Sequence, residues 1–246
     1  MNTRSITTLL IISLLVIPIL VVGCGDDGDD DDVGPNGGVA DPSARTLLIE
    51  LTPAQITELG TSQAIGIART MGSPEAEAVA VVLWVELQFL EEVNELEWSL
   101  SDMRAYASSS ALQVGTKVLP LADIPVAFGK TYRFETGAFV EDTNASSPDR
   151  IAVVNDSESE LTFGLAAPMS NNGNDTALPY GGIVVPPNAT VELWPSSDVF
   201  VFITPTSDNS TVLLGIPDSA LMLDMGTTSS FVLEYDDKTE TFIVSN

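Results

Sequence analysis

From about Thr131 to the C-terminus, short runs rich in valine and aromatic residues alternate with clusters of Asn, Asp, Ser, Gly and Pro at near-regular intervals. That texture is the signature of short strands joined by turns. The pattern predicts strands at 132–140, 150–155, 160–165, 182–185, 190–194, 199–204, 211–216, 220–224, 230–235 and 239–245. Two connections carry their own chemistry. In Pro186-Pro187-Asn188-Ala189, proline fixes φ near −65° and Asn188 tolerates the positive φ of a type II turn. Asp236-Asp237-Lys238 separates two alternating runs as the tip of a closing hairpin. About eight to ten antiparallel strands in so short a span fit a β-sandwich or jelly roll, assigned to 131–246.

The preceding stretch reads differently. Thr52, Pro53 and Gln55 form a helix start: threonine caps, proline suits the first helical position, and glutamine completes a capping box. Gly72-Ser73-Pro74 reads as a stop followed at once by a second start. Beyond it, Val79, Leu83, Leu87, Leu90, Val93, Leu96, Leu100 and Met103 recur every three or four residues, with Glu91, Glu92 and Glu95 on the opposite side. Val85-Glu86-Leu87-Gln88-Phe89 also alternates like a strand, but the longer period favours a helix. The expectation is an α+β chain. An N-terminal helical hairpin (helices 53–71 and 74–107 within 45–110) leads through a linker at 111–130 to the antiparallel β-sandwich or jelly-roll domain.

At the N-terminus, Arg4 precedes nineteen uncharged residues, Ser5 to Gly23, dominated by Ile, Leu and Val. A basic start, an apolar core and a small residue at the cut site make an export signal. Val21-Val22-Gly23-Cys24 resembles the lipobox of prokaryotic lipoprotein precursors. The resemblance implies cleavage between Gly23 and Cys24, and diacylglycerol on the Cys24 sulfur as the membrane anchor. Each buried CH₂ contributes about 0.8 kcal/mol, so more than one acyl chain holds a protein durably. The same apolar run approaches the length of a membrane span, and under either reading the acidic bulk of the chain is exported. Residues 24–44 follow as a tether, with six aspartates in 26–32 and then a Gly/Pro/Asn run that cannot bury apolar area. Asp27, Asp29 and Asp31 have the opening spacing of an EF-hand loop, but Asp32 and Gly38 stand where glycine and glutamate belong.

Composition excludes much chemistry. There is no histidine, and the only cysteine is Cys24. Ser-His-Asp and Cys-His catalysis, histidine-bound zinc and the usual neutral-pH proton shuttle are therefore missing. With Cys24 lipidated, no disulfide forms. The chain carries 35 acidic against 9 basic side chains, so it repels phosphate backbones and nucleic acid is not a partner. The same excess suits a salty habitat.

Candidate sites are few. Phe128-Gly129-Lys130-Thr131 ends like a phosphate loop but has Ile124 where the first glycine belongs. Asn172, Asn174 and Asp175 lie in an oxygen-rich loop that offers weak calcium ligands with a single carboxylate, while loops of this composition usually serve as turns. Trp194, before Pro195, is a candidate for stacking on a sugar ring, against a bland reading as core or rim packing. Five Asn-x-Ser/Thr triplets begin at Asn144, Asn155, Asn174, Asn188 and Asn209 and suit either glycan acceptors or plain turns.

Residues 150–216 resemble small β-sandwich modules of tailed-phage virions, through IAVVNDS (151–157), GGIVVPPNATVEL (181–193) and DVFVFI (198–203). These are strand and turn patterns without chemical residues, and they bear on fold more than function. The functional expectation is a non-enzymatic, lipid-anchored extracytoplasmic envelope protein. It would bind a partner protein or glycan or serve a structural role, with the membrane as partner through Cys24 and no cofactor beyond the lipid. The alternatives are a carboxylate-pair glycoside hydrolase and a phage-derived surface assembly or exclusion lipoprotein.

Overall fold

The computed structural model describes residues 41–60, 62–74, 79–205 and 207–245. The lipobox, Cys24 and the aspartate block lie outside the described residues. Among the described residues, sixteen strands and one helix follow one another in the unit that spans 40–246. The first half carries β1 (Ala44–Glu50), α1 (Pro53–Leu59), β2 (Gln63–Gly72), β3 (Ala80–Val81), β4 (Leu83–Leu87), β5 (Val93–Ser99), β6 (Arg104–Ser108) and β7 (Pro120–Pro125). The second half adds β8 (Lys130–Glu135), β9 (Ala138–Ala145), β10 (Ile151–Asn155), β11 (Leu161–Asn171) and β12 (Asn174–Val185). It ends with β13 (Thr190–Pro205), β14 (Leu221–Asp224), β15 (Ser230–Asp236) and β16 (Thr241–Val244).

One sheet runs β16-β15-β1-β5-β11-β12-β3, with β6 on β11 and β7 on β6. The other runs β4-β2-β13-β10-β8-β9, with β14 on β13. Both are mixed: β1 runs parallel to β15, and β8 parallel to β10. A single apolar core joins their inner faces, with Ile65, Ile67 and Leu193 from one sheet meeting Leu47, Phe163 and Leu233 from the other.

This overturns the α+β expectation. Among the described residues, the interval 45–110 holds no helical hairpin; it supplies six strands shared between the two sheets. Nor is the remainder an antiparallel jelly roll by itself, since it is completed by β1, β2 and β5 and contains the parallel β8–β10 pair. The stretch 111–130, expected as a linker, contributes β7.

The helix start itself is correctly placed. Thr52 Oγ1 accepts from the Gln55 N–H, and Gln55 Oε1 accepts from the Thr52 N–H. Yet the helix lasts seven residues and closes at Gly60. Its continuation pairs as β2 because that segment meets β13 on one side and β4 on the other. β4 is buried along its whole length, and β2 nearly so. Ala68, Leu83 and Phe202 form a second small core on the outer face, covered by Leu213, Ile216 and Ala220. Strands buried on both faces lose the two-residue alternation that distinguishes them in sequence. The apparent helical stripe arose from four-residue spacings that also fit a two-residue period, and from residues in separate strands. β5 does alternate: Asn94, Leu96 and Trp98 are buried between exposed Val93, Glu95 and Glu97.

In the second half, 132–140 resolves into β8 and β9 around Thr136-Gly137, both at positive φ. The 190–194 and 199–204 runs join as β13. The 211–216 run is a covering loop held by isolated bridges, Val82 to Val212 and Lys117 to Thr211. The Pro186–Ala189 turn forms with Asn188 at φ 60°, and β15–β16 closes the chain as a hairpin.

Candidate functional site

The main candidate site begins with an interruption in the larger sheet. β5 pairs with β11 only through Leu96 and Glu97, opposite Asn171 and Ser170. The chain then detours through Leu100 to Met103 and rejoins β11 as β6, pairing from Arg104 onward with Ala166. Pro168 of β11 lies opposite the detour and has no N–H to offer a neighbour. An open groove of about 390 Å³ lies at this seam. Its lining includes Arg45, Glu97, Trp98, Ser99, Asp102, Pro168, Ser170 and Asp175.

The groove adjoins Asp41 to Arg45, where the described residues begin. Ser43, Ser99 and Ser101 share a hydroxyl cluster, with Ser99 to Ser101 at 2.8 Å and Ser43 to Ser101 at 3.0 Å. Asp41 accepts from the Ser43 hydroxyl at 2.6 Å and from the Ser43 N–H at 2.9 Å, which together hold its carboxyl below the usual value. Arg45, only 8% exposed, donates to backbone carbonyls of Pro42, Ala44 and Met225. The groove thus presents three carboxylates, three hydroxyls (Thr46, Ser99 and Ser170) and a backbone-bound guanidinium. Such a surface suits a polyhydroxylated or cationic ligand held by hydrogen bonds.

Beneath the groove lies an aromatic box. Trp98 meets Trp84 edge to face at 5.5 Å, and Trp84 meets Tyr180 at 6.2 Å. The Trp84 indole N–H reaches the Ala167 carbonyl at 3.4 Å. Arg69, 1% exposed, stacks its guanidinium 4.6 Å from the Tyr180 ring centre and 5.1 Å from that of Trp84. None of its three nitrogens has a hydrogen-bond partner. Burial pushes its pKa down, with Tyr180 opposing that effect. A desolvated cation–π contact contributes about 2 kcal/mol, less than the several kcal/mol that burying an ion costs.

The sequence gives one signal for this box. Arg69 is the sole charge between Glu58 and Glu75, in AIGIARTMG (64–72). Tyr180 and Pro168 carry no signal of their own. Only the folded pairing brings them to this place.

The sequence-predicted candidates lie apart from one another. Trp194 is half-buried at the rim, with the Arg150 guanidinium 4.5 Å from its ring centre. It also lies over Gly72, where an added Cβ would fall 2.2 Å from indole atoms. Trp194 is therefore a packed side chain between strands. Asn172 occupies the β11–β12 turn at φ 47°, followed by Gly173 at 78°. Its side-chain oxygen accepts from the Glu95 N–H at 2.8 Å, docking the turn on β5. Asn174 donates to the Asn171 carbonyl, and Asp175 joins the groove instead. Among the described residues no group of three or more Asp, Glu, Cys or His is placed to hold a metal. Lys130, from the phosphate-loop-like run, pairs with Glu141 at 2.8 Å. Of the Asn-x-Ser/Thr triplets, Asn155 is fully buried and donates to the Ser159 and Val185 carbonyls, and Asn209 accepts from the Glu86 N–H. Asn144, Asn174 and Asn188 are exposed.

Where carboxyl pKa values are displaced, they move down. Asp41, Asp142, Asp224 and Asp236 all accept hydrogen bonds from neighbouring hydroxyl, backbone or guanidinium donors. No helix among the described residues is long and apolar enough to cross a membrane. Comparison with known proteins returns no matching family model, no matching curated protein and no matching solved structure.

Proposed function

We propose that this chain is an extracytoplasmic protein, lipid-anchored through Cys24, whose two-sheet body binds an envelope partner or glycan at the Pro168 seam. The observation that carries the anchor is the placement of the only cysteine, directly after an uncharged leader and before an acidic spacer. A compact body beginning near residue 41 fits a tether of about 20 residues spanning roughly 25 Å. Supporting the binding role, the seam is an open groove with several hydrogen-bonding groups.

Metabolic labelling with palmitate tests the anchor. Wild type takes up label and sediments with membranes, whereas Cys24→Ala does neither; an unlabelled wild type overturns it. The groove is tested by capture from the envelope fraction, comparing wild type with Asp102→Arg/Asp175→Arg. Ligand retained equally by both would remove the groove from the binding role.

A further inference from the structure

The buried groups without partners are not scattered at random. Five of them belong to three side chains of one aromatic cluster: Arg69 Nε, Nη1 and Nη2, the Trp98 indole N–H and the Tyr180 hydroxyl. Four of the five can only donate, and the fifth donates as readily as it accepts. Among the described residues no carboxylate forms an ion pair with Arg69, although the chain has 35 acidic residues. A buried cation needs an opposite charge and hydrogen-bond acceptors, because low polarity magnifies the cost of leaving it alone. Here the surroundings offer rings and further donors.

The backbone is irregular on every side of this guanidinium. Trp84 is the extra residue of a bulge in β4, where Ile67 pairs with Val85 but Ala68 with Leu83. Tyr180 is the extra residue of a bulge in β12, where Leu165 pairs with Gly181 but Ala166 with Pro179. Beside Arg69, whose own partner is Val199, Ser196 to Asp198 of β13 stand opposite the single Thr70. Bulges unpair a ladder locally and re-aim side chains, and they gather next to functional sites. Two of the three turn aromatic rings onto Arg69 from opposite sheets. The third loosens the strand next to it.

We propose that the Arg69 box is a binding site for a small monovalent anion of the halide class, taken up when the bulged strands part locally. One guanidinium supplies one positive charge, so a singly charged ion leaves the core neutral while a doubly charged one does not. The guanidinium N–H groups and the hydroxyl of Tyr180, the ring on which Arg69 stacks, match a spherical acceptor, and an apolar surround favours ions that shed water easily. The site does not depend on the lipid anchor, and of its unpartnered side chains only Trp98 also lines the groove.

Thermal unfolding of the full chain in sodium chloride, bromide and gluconate at equal ionic strength reads the site. A bound halide raises the midpoint with concentration, by mass action on the folded state. In chloride and bromide the wild-type midpoint exceeds that in gluconate, and Arg69→Met abolishes the difference. Tyr180→Phe keeps the ring, removes one donor and weakens the apparent affinity several-fold. Bromide-soaked crystals place an anomalous peak within hydrogen-bond reach of Arg69. Equal wild-type midpoints in chloride and gluconate overturn the proposal, as does a halide effect that persists in Arg69→Met. Should Arg69→Met not fold, the Tyr180→Phe titration and the bromide peak decide it; an undiminished affinity or a peak elsewhere overturns it.

Discussion

Two arginine–tryptophan stacks occupy opposite electrostatic settings in this molecule. Arg150 sits 4.5 Å from the centre of Trp194 at the rim, with its other donors reaching Glu192 at 2.9 Å and solvent. Arg69 sits 5.1 Å from the centre of Trp84 in the core, with Tyr180 on it and no acceptor at all. The contact geometry is alike, so the difference lies in what neutralises the charge. At the rim, water and a carboxylate do so, and the ring supplies packing. In the core, rings carry the whole interaction. The lesson is that a cation–π contact takes its weight from its surroundings.

The largest effect that separates the two stacks is removal of their rings. Trp84→Ala is expected to cost about 3–5 kcal/mol in denaturant unfolding, because it opens a core void and strips Arg69 of a ring. Trp194→Ala, at a half-exposed position, should cost about 1 kcal/mol. Equal costs would break the comparison. Next, Gly72→Val forces a side chain into the space that the Trp194 indole fills. A loss of about 1–3 kcal/mol, with altered tryptophan fluorescence, would show that the rim stack is held from beneath. The smallest effect is that of Arg150→Ala, which should cost no more than about 1 kcal/mol and shrink further with added salt, since its ion pair is partly exposed. A salt-insensitive loss would mean that the rim arginine behaves like the buried one.

Parts of the architecture were legible because their causes are local. Thr52 and Gln55 satisfy each other's backbone groups within one turn, so the helix start needs nothing distant. Asn188 takes φ 60° where a proline-led turn requires it, and Asp236 to Lys238 close a hairpin whose strands are neighbours in sequence. The helical hairpin failed for the opposite reason. Leu83, Trp84, Val85 and Leu87 are apolar because β4 is enclosed on both faces, and enclosure is supplied by residues far along the chain. The oxygen-rich turn is likewise tied down from afar: Asn172 uses its side-chain oxygen on the Glu95 backbone, a partner 77 residues away.

The amino-acid sequence alone decides what chemistry the chain lacks, where its single thiol stands, and where the backbone must turn, because these depend on residue identity and adjacent groups. The tertiary structure alone decides which faces of β2 and β4 are buried, which strand lies parallel to β1, and which rings surround Arg69. Those outcomes depend on pairings between distant segments and on one-residue bulges. A single extra residue re-aims a side chain from one face to the other, and no local pattern encodes where that residue falls.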